Sequence, residues 1–267
     1  MKKIAMSLGI LMLLLVACQK TPKTFKYQQN LSLDKVSPIG FDYDGKNFWI
    51  ADGDHNRLVK TDLEGKTLEV QDGFERPMHL AIDQQKIYVP EYGSDTIQIV
   101  ENQQRKALEL SDSLDAPAGI DVVGKEIAIA DFYNHRIVYF DGSRWISFGK
   151  EGKKQGELYY PTDVQIMPNK IYVADAYNNR VQVFDKQGKS VQTIGFKQGI
   201  NAATGIFVDD HIYTTDFENN RVLIFDQEGN LLQELKEGLN KPTDLLVLND
   251  RLYVCNYKGQ SFSVFKR

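Results

Sequence analysis

The stretch VADAYNNRVQVFD, residues 173–185, has three near copies in the same chain. They read IADGDHNRLVKTD at 50–62, IADFYNHRIVYFD at 129–141 and TTDFENNRVLIFD at 214–226. Each copy is an apolar run, a polar turn and a second apolar run, so it reads as two strands joined by a tight connection. Aligning the end of the first run gives Asp52, Glu91, Asp131, Asp175, Asp216 and Asn256, at steps of 39, 40, 44, 41 and 40 residues. Such a period signals an array of supersecondary units that bury their faces only against one another.

Every unit begins with a short opening. Five openings carry proline at their second position, as Pro38, Pro77, Pro117, Pro161 and Pro242, and the fifth unit has Ala203 there. A strand-like run follows, then the two strands of the repeated stretch. In three units an Asp-x-x-Gly turn leads to a fourth run, at Asp62–Gly65, Asp185–Gly188 and Asp226–Gly229. Asp opens a type I turn and Gly takes the left-handed position after it. Four short strands per forty residues describe a propeller blade. The fold class is therefore all-β: a six-bladed β-propeller of four-stranded antiparallel blades. The last unit has only three strands before Arg267, while the run 24–33 precedes the first unit unassigned. The N-terminal strand is expected to complete the last blade and close the ring, leaving no open sheet edge.

The pattern Pro-x-Gly or Pro-x-Asp, then Ile-Tyr-Val-Ala-Asp, then Asn-x-Arg-Val-x-Val-Phe-Asp resembles the NHL repeat. The likeness spans nearly all of residues 25–267, stronger in units one, three, four and five than in two and six. It implies a six-bladed propeller. It does not imply one function, because such propellers carry RNA-binding, protein-binding and lyase activities.

The N-terminus reads as a separate segment. Lys2 and Lys3 precede an apolar run from Ile4 to Ala17, which is short for a membrane span. The run ends in Leu15-Val16-Ala17-Cys18, which resembles the lipobox of bacterial lipoproteins. That resemblance implies cleavage before Cys18 and lipidation of Cys18. The expected organisation is a signal peptide at 1–17, the lipidated cysteine and a tether at 18–24, and the propeller at 25–267. The chain would then be a membrane-anchored lipoprotein of the bacterial cell envelope. Gln19 to Lys23 would reach at most roughly 18 Å. Cys255, in an apolar run, would be the one free thiol and a buried small hydrophobe.

Composition narrows the partners. Lys and Arg total 32 against 36 Asp and Glu; without Lys2 and Lys3 the formal charge falls from −4 to −6. No nucleic acid is expected as a partner of such an acidic chain.

Three groups of residues bear on chemistry. The ring Asp52, Glu91, Asp131, Asp175 and Asp216 could form a carboxylate cage. In four units, however, an arginine follows five positions later, at Arg57, Arg136, Arg180 and Arg221, and turn-capping ion pairs account for the ring better. Unit two departs, with Thr96 in place of the arginine and His79 where other openings have Gly or Asp. His79 and Glu91 are thus expected together at the channel mouth. Asp163 and Asp244, at the same opening position as His79, would complete a weak divalent-cation site. The third group is aromatic and includes Tyr92, Tyr133 and Tyr177 in the polar turns, a rim suited to peptide or sugar.

The leading expectation is a binding or scaffold module that docks a peptide, protein or glycan through His79, Glu91, Tyr92, Tyr133, Asp163, Tyr177 and Asp244. No catalytic residue and no resident cofactor is assigned. The alternative is a metal-dependent hydrolase or lyase with its site at the channel mouth. No Gly-x-Ser-x-Gly, His-Glu-x-x-His or phosphate-cradling loop occurs in the chain.

Overall fold

A computed structural model describes residues 24–267. The segment read as signal peptide, and Cys18 with it, lies outside the described residues. The rest forms six antiparallel four-stranded sheets. Blade 1 holds β2 (Pro38–Tyr43), β3 (Phe48–Asp52), β4 (Arg57–Thr61) and β5 (Thr67–Asp72). Blade 2 holds β6 (Ala81–Asp83), β7 (Lys86–Glu91), β8 (Thr96–Glu101) and β9 (Gln104–Ala107). Blade 3 holds β10 (Pro117–Val123), β11 (Glu126–Asp131), β12 (Arg136–Phe140) and β13 (Trp145–Phe148). Blade 4 holds β14 (Pro161–Met167), β15 (Lys170–Asp175), β16 (Arg180–Asp185) and β17 (Ser190–Ile194). Blade 5 holds β18 (Ala203–Val208), β19 (Ile212–Asp216), β20 (Arg221–Phe225) and β21 (Leu231–Leu235). Blade 6 is built from β22 (Pro242–Leu248), β23 (Arg251–Asn256), β24 (Ser261–Lys266) and, as its outer strand, β1 (Lys26–Ser32). The expected blade count and the closure by the N-terminal strand are both found.

The inner strands β2, β6, β10, β14, β18 and β22 each touch the next, and β22 returns to β2. Alternation along each strand supplies both faces of a blade. In β15, Ile171 and Val173 pack toward blade 3, whereas Tyr172 and Ala174 pack toward blade 5. The core is accordingly split into six apolar clusters, one per interface between blades. Cys255 is fully buried in the cluster between blades 6 and 1, and burial pushes its thiol well above the ordinary value.

Closure is specific. β1 pairs antiparallel with β24 from Lys26 opposite Lys266 to Ser32 opposite Ser261. The Phe25 N–H donates to Gln233 Oε1 at 2.9 Å, and Gln233 Nε2 donates back to the Phe25 carbonyl at 2.7 Å. The chain thus enters the ring next to Arg251 and Lys266, at the end of blade 6 opposite the Asn256–Ser261 turn. Among the described residues no helix is long and apolar enough to cross a membrane.

Candidate functional site

The face that carries the β-turns between second and third strands also carries the six openings. Its architecture explains the repeated motif. The residue ending each second strand, acidic in five blades and Asn256 in the sixth, accepts the backbone N–H at the start of its own opening. Asp52 takes Ser37 at 3.1 Å, Glu91 takes Glu75 at 2.9 Å and Asp131 takes Asp115 at 2.8 Å. Asp175 takes Tyr159 and Asp216 takes Asn201, both at 2.8 Å, and Asn256 takes Asn240 at 2.9 Å. The second oxygen meets the arginine five positions on, at 2.6–2.8 Å for Arg57, Arg136, Arg180 and Arg221. These arginines also donate to opening-loop carbonyls, so each clasps its blade's own entry strand. The carboxylate ring is structural.

The asparagine before the arginine has a separate role, which spacing alone did not reveal. Asn56, Asn179 and Asn220 sit in the left-handed region, at φ 55, 58 and 51°. Their side-chain oxygens accept the N–H of Arg76, Ala202 and Lys241, the residue before the proline position of the next blade's opening, at 2.8–2.9 Å. Asp95 and His135 do the same in blades 2 and 3. Asn tolerates this backbone and still presents an acceptor, which is why the motif favours it.

Glu91 therefore belongs to this scaffold, and the expected pairing of His79 with Glu91 is not formed. Glu91 Oε2 accepts the Ser94 and Thr96 hydroxyls at 2.9 and 3.1 Å, neutral donors that replace the missing arginine. The carboxylates near His79 are Asp163 and Asp244, whose Oδ2 atoms lie 3.8 and 3.6 Å from its Nδ1. The three belong to blades 2, 4 and 6 and alternate around the axis with Gly40, Gly119 and Gly205 of blades 1, 3 and 5. All three are buried, and among the described residues they form the one cluster whose ligand atoms lie within 4.8 Å of one another. Burial by itself lowers the affinity of the His79 imidazole for a proton, but the two carboxylates outweigh it and hold its pKa above the ordinary value. Burial pushes the Asp163 carboxyl up to about 7 despite His79 and two backbone donors.

Below this trio the channel is acidic. Asp42 and Asp121 each accept two backbone N–H groups, one from the following residue and one from the next blade, Ile82 or Ile166. Burial nonetheless raises them to about 7 and about 6, with Asp121 and Asp244 adding repulsion to Asp42, and Lys186 partly offsetting the rise at Asp121. Each carboxyl is then protonated more readily in the folded chain than in the unfolded one. Their contribution to stability is complete below pH ~4 and is lost as pH rises through 6 to 7. The metal-free chain should melt lower at pH 8 than at pH 5.5, by about 2 kcal/mol from Asp42 and about 1 kcal/mol from Asp121, the part of each loss that falls above pH 5.5. Thermal melts across that range check this; a melting temperature that rises with pH contradicts it. Asp42→Asn with Asp121→Asn should flatten the profile.

Above the trio lies a depression of ≈ 590 Å³, lined by residues of all six blades including Ile39, Met78, His79, Phe132, Tyr177 and Tyr257. His79 lines both this depression and the narrower channel of ≈ 130 Å³ beneath. An aromatic wall rises on one side of it. The Tyr92 hydroxyl donates to that of Tyr133 at 2.7 Å, and Tyr92 and Tyr133 both contact Phe132. Phe132 lies 4.8 Å from Tyr160, centroid to centroid, and Tyr160 lies 5.0 Å from Tyr177. Tyr133 and Tyr177 remain 47 and 59 % exposed. The structure thus brings Tyr92, Tyr133 and Tyr177 onto one wall and His79, Asp163 and Asp244 onto the axis, with Glu91 in neither group. Tyr160 was not singled out from sequence; it precedes Pro161, so its signal was its place in an opening.

Comparison with known proteins agrees on the fold. A family model described as a 6-bladed beta-propeller matches residues 150–236. No curated protein matches the sequence. Among solved structures, the chain is similar to a gluconolactonase from Xanthomonas campestris, with a TM-score of 0.73 and 16% identity over 89% of this chain and 88% of that one. It is similar to a catalytically inactive virginiamycin B lyase from Staphylococcus aureus, crystallised with quinupristin, with a TM-score of 0.65 and 19% identity over 87% and 82%. It is also similar to a chain of a nidogen/laminin complex, with a TM-score of 0.65 and 18% identity over 80% and 86%. These identities establish a shared architecture, one that serves enzymes and binding proteins alike. By fold and by matched segment, this chain is a six-bladed β-propeller.

Proposed function

We propose that the chain is a lipid-anchored binding module of the NHL type, which docks a segment of peptide, protein or glycan on the depression beside the aromatic wall. The observation that carries this reading is a continuous aromatic cluster that reaches a depression of ≈ 590 Å³ through Phe132 and Tyr177, with Tyr177 and the neighbouring Tyr133 exposed. Scattered exposed aromatics need no explanation, but a packed wall beside a concavity of this size matches the anatomy of ligand sites. Ring faces offer stacking area and the phenols offer polar tips at low entropic cost.

The entry of the chain supports a tethered form of this reading. Lys26 begins β1 at the end of blade 6 far from the Asn256–Ser261 turn, which lies on the face of the depression. A membrane anchor at Cys18 would therefore leave from the opposite face and turn the docking face away from the lipid. The metal-dependent hydrolase or lyase reading keeps one observation in its favour, the His79–Asp163–Asp244 cluster at the floor of the same depression.

The test uses peptide and glycan arrays with the full chain and with a Tyr133→Ala, Tyr177→Ala variant. Truncating Tyr177 in the depression and Tyr133 beside it should weaken a docked ligand at least about tenfold, since such anchors are worth more than ~1 kcal/mol each. The melting temperature should fall only slightly, because both side chains are about half exposed and lie outside the clusters between blades. Cys18→Ser should release the chain from the membrane fraction and leave array binding intact. Array profiles that do not distinguish the tyrosine variant from the parent chain would overturn the reading.

A further inference from the structure

We infer that His79, Asp163 and Asp244 form a binding site for one divalent transition-metal ion, with Zn²⁺ as the fitting probe. Three features carry this beyond proximity. First, His79 Nδ1 is buried without a hydrogen-bond partner and faces the two Oδ2 atoms at 3.6 and 3.8 Å. Those separations are too long for hydrogen bonds. They suit ligands that share an ion: bonds of 2.0–2.2 Å in a tetrahedral arrangement place ligand atoms about 3.4 Å apart.

Second, both carboxylates are held in place by backbone donors. Asp163 Oδ1 and Oδ2 accept the N–H groups of Val164 and Ile206 at 2.8 and 2.9 Å. Asp244 Oδ1 and Oδ2 accept those of Leu245 and Phe41 at 2.7 and 2.9 Å. Each oxygen keeps a second lone pair for an ion. Outer hydrogen bonds of this kind orient the ligands of metal sites. Third, the trio is symmetric about the channel, because the intervening glycines let every second blade project a side chain to the axis.

The chemistry selects the class of ion. One imidazole and two carboxylates suit Zn²⁺ and its transition-metal neighbours, whereas Ca²⁺ and Mg²⁺ prefer oxygen alone. Three protein ligands leave a position for water or for a docked group. His79 also lines the depression, which gives the ion a way in. The inference needs only the trio and not the docking reading, so a chain that takes up metal but no array ligand, or the reverse, separates the two.

The experiment is equilibrium dialysis and thermal melting of the chelator-stripped full chain against ZnCl₂. The expected result is saturable binding of one ion per chain. At a hundredfold excess over Kd the melting temperature should rise by about 5–10 °C. His79→Ala removes a side chain whose Nδ1 bonds to nothing, so it should fold. It should weaken Zn²⁺ at least about 100-fold, the upper loss seen even for outer partners of a ligand. His55→Ala and His211→Ala, which alter histidines outside the trio, should leave affinity unchanged. Absence of saturable binding, or loss of binding in His211→Ala with His79→Ala unaffected, would overturn the assignment.

Discussion

Gly205→Ala should destabilise the ring by about 3 kcal/mol or more, at the upper end of what an overpacked core tolerates. A Cβ at this position would lie 2.4 Å from the Thr243 carbonyl oxygen and 2.7 Å from Asp244 Cα, both backbone atoms of the next blade's inner strand. Neither can swing aside, so the two blades must part. The same approach occurs at Gly40, where a Cβ would sit 2.5 Å from His79 Cα, and at Gly119, 2.8 Å from Asp163 Cα. These glycines set the radius of the channel and hold the trio at its axis. Gly45 is the contrast: its φ is +91° but nothing lies within 4 Å of a Cβ there. Gly45→Ala should cost only the backbone strain, about 1–2 kcal/mol. Urea denaturation of the two variants decides the matter. Equal losses would mean that contact between the blades at Gly205 relaxes freely.

Arg180→Ala should cost about 3–5 kcal/mol, the penalty for stranding one member of a buried ion pair. The Arg180 side chain is 9 % exposed and Asp175 is fully buried. Its guanidinium donates to Asp175 Oδ2 at 2.8 Å and to the carbonyls of Lys153, Lys154 and Glu157 at 2.8–3.0 Å. Removing it takes the donor from the Lys153 carbonyl, leaves those of Lys154 and Glu157 with only the Glu157 N–H and Gln182 Nε2, and leaves a carboxylate that burial already pushes above its ordinary pKa. Arg180→Lys keeps the charge but loses the planar fork, so it should recover only part of the loss. Arg57→Ala should cost less, because Arg57 is 22 % exposed and water can replace some of its bonds. Chemical denaturation of the three variants tests this order. A loss at Arg57 equal to that at Arg180 would show that burial does not set the cost.

The propeller was readable because the repeat is local. Each forty-residue unit carries its own strand and turn pattern, five of the six open on proline and four hold an Asp–Arg clasp, all within reach of one blade. The aromatic turns were readable for the same reason, since Tyr92, Tyr133 and Tyr177 fall in the same turn of successive units, Tyr92 directly after the second strand and the other two one residue further on. Glu91 is expected at the channel mouth because Thr96 stands where the other blades have arginine, but the missing arginine does not free it from the scaffold. The longer side chain instead reaches Ser94 and Thr96 and still accepts the Glu75 N–H. Tyr160 escaped notice because nothing local distinguishes a wall residue from any other residue before a proline.

Period and turn chemistry were enough to determine six blades, because strands within a repeat pair with neighbours close in the chain, and the three-stranded last unit pointed to the one distant pairing, β1 with β24. Which side chains share the axis was decided only by the ring. His79, Asp163 and Asp244 stand some eighty residues apart and meet because every second inner strand is spaced from the next by a glycine. Their burial, their unpaired nitrogen and the raised carboxyls beneath them arise from six strands converging, a property that no single repeat contains.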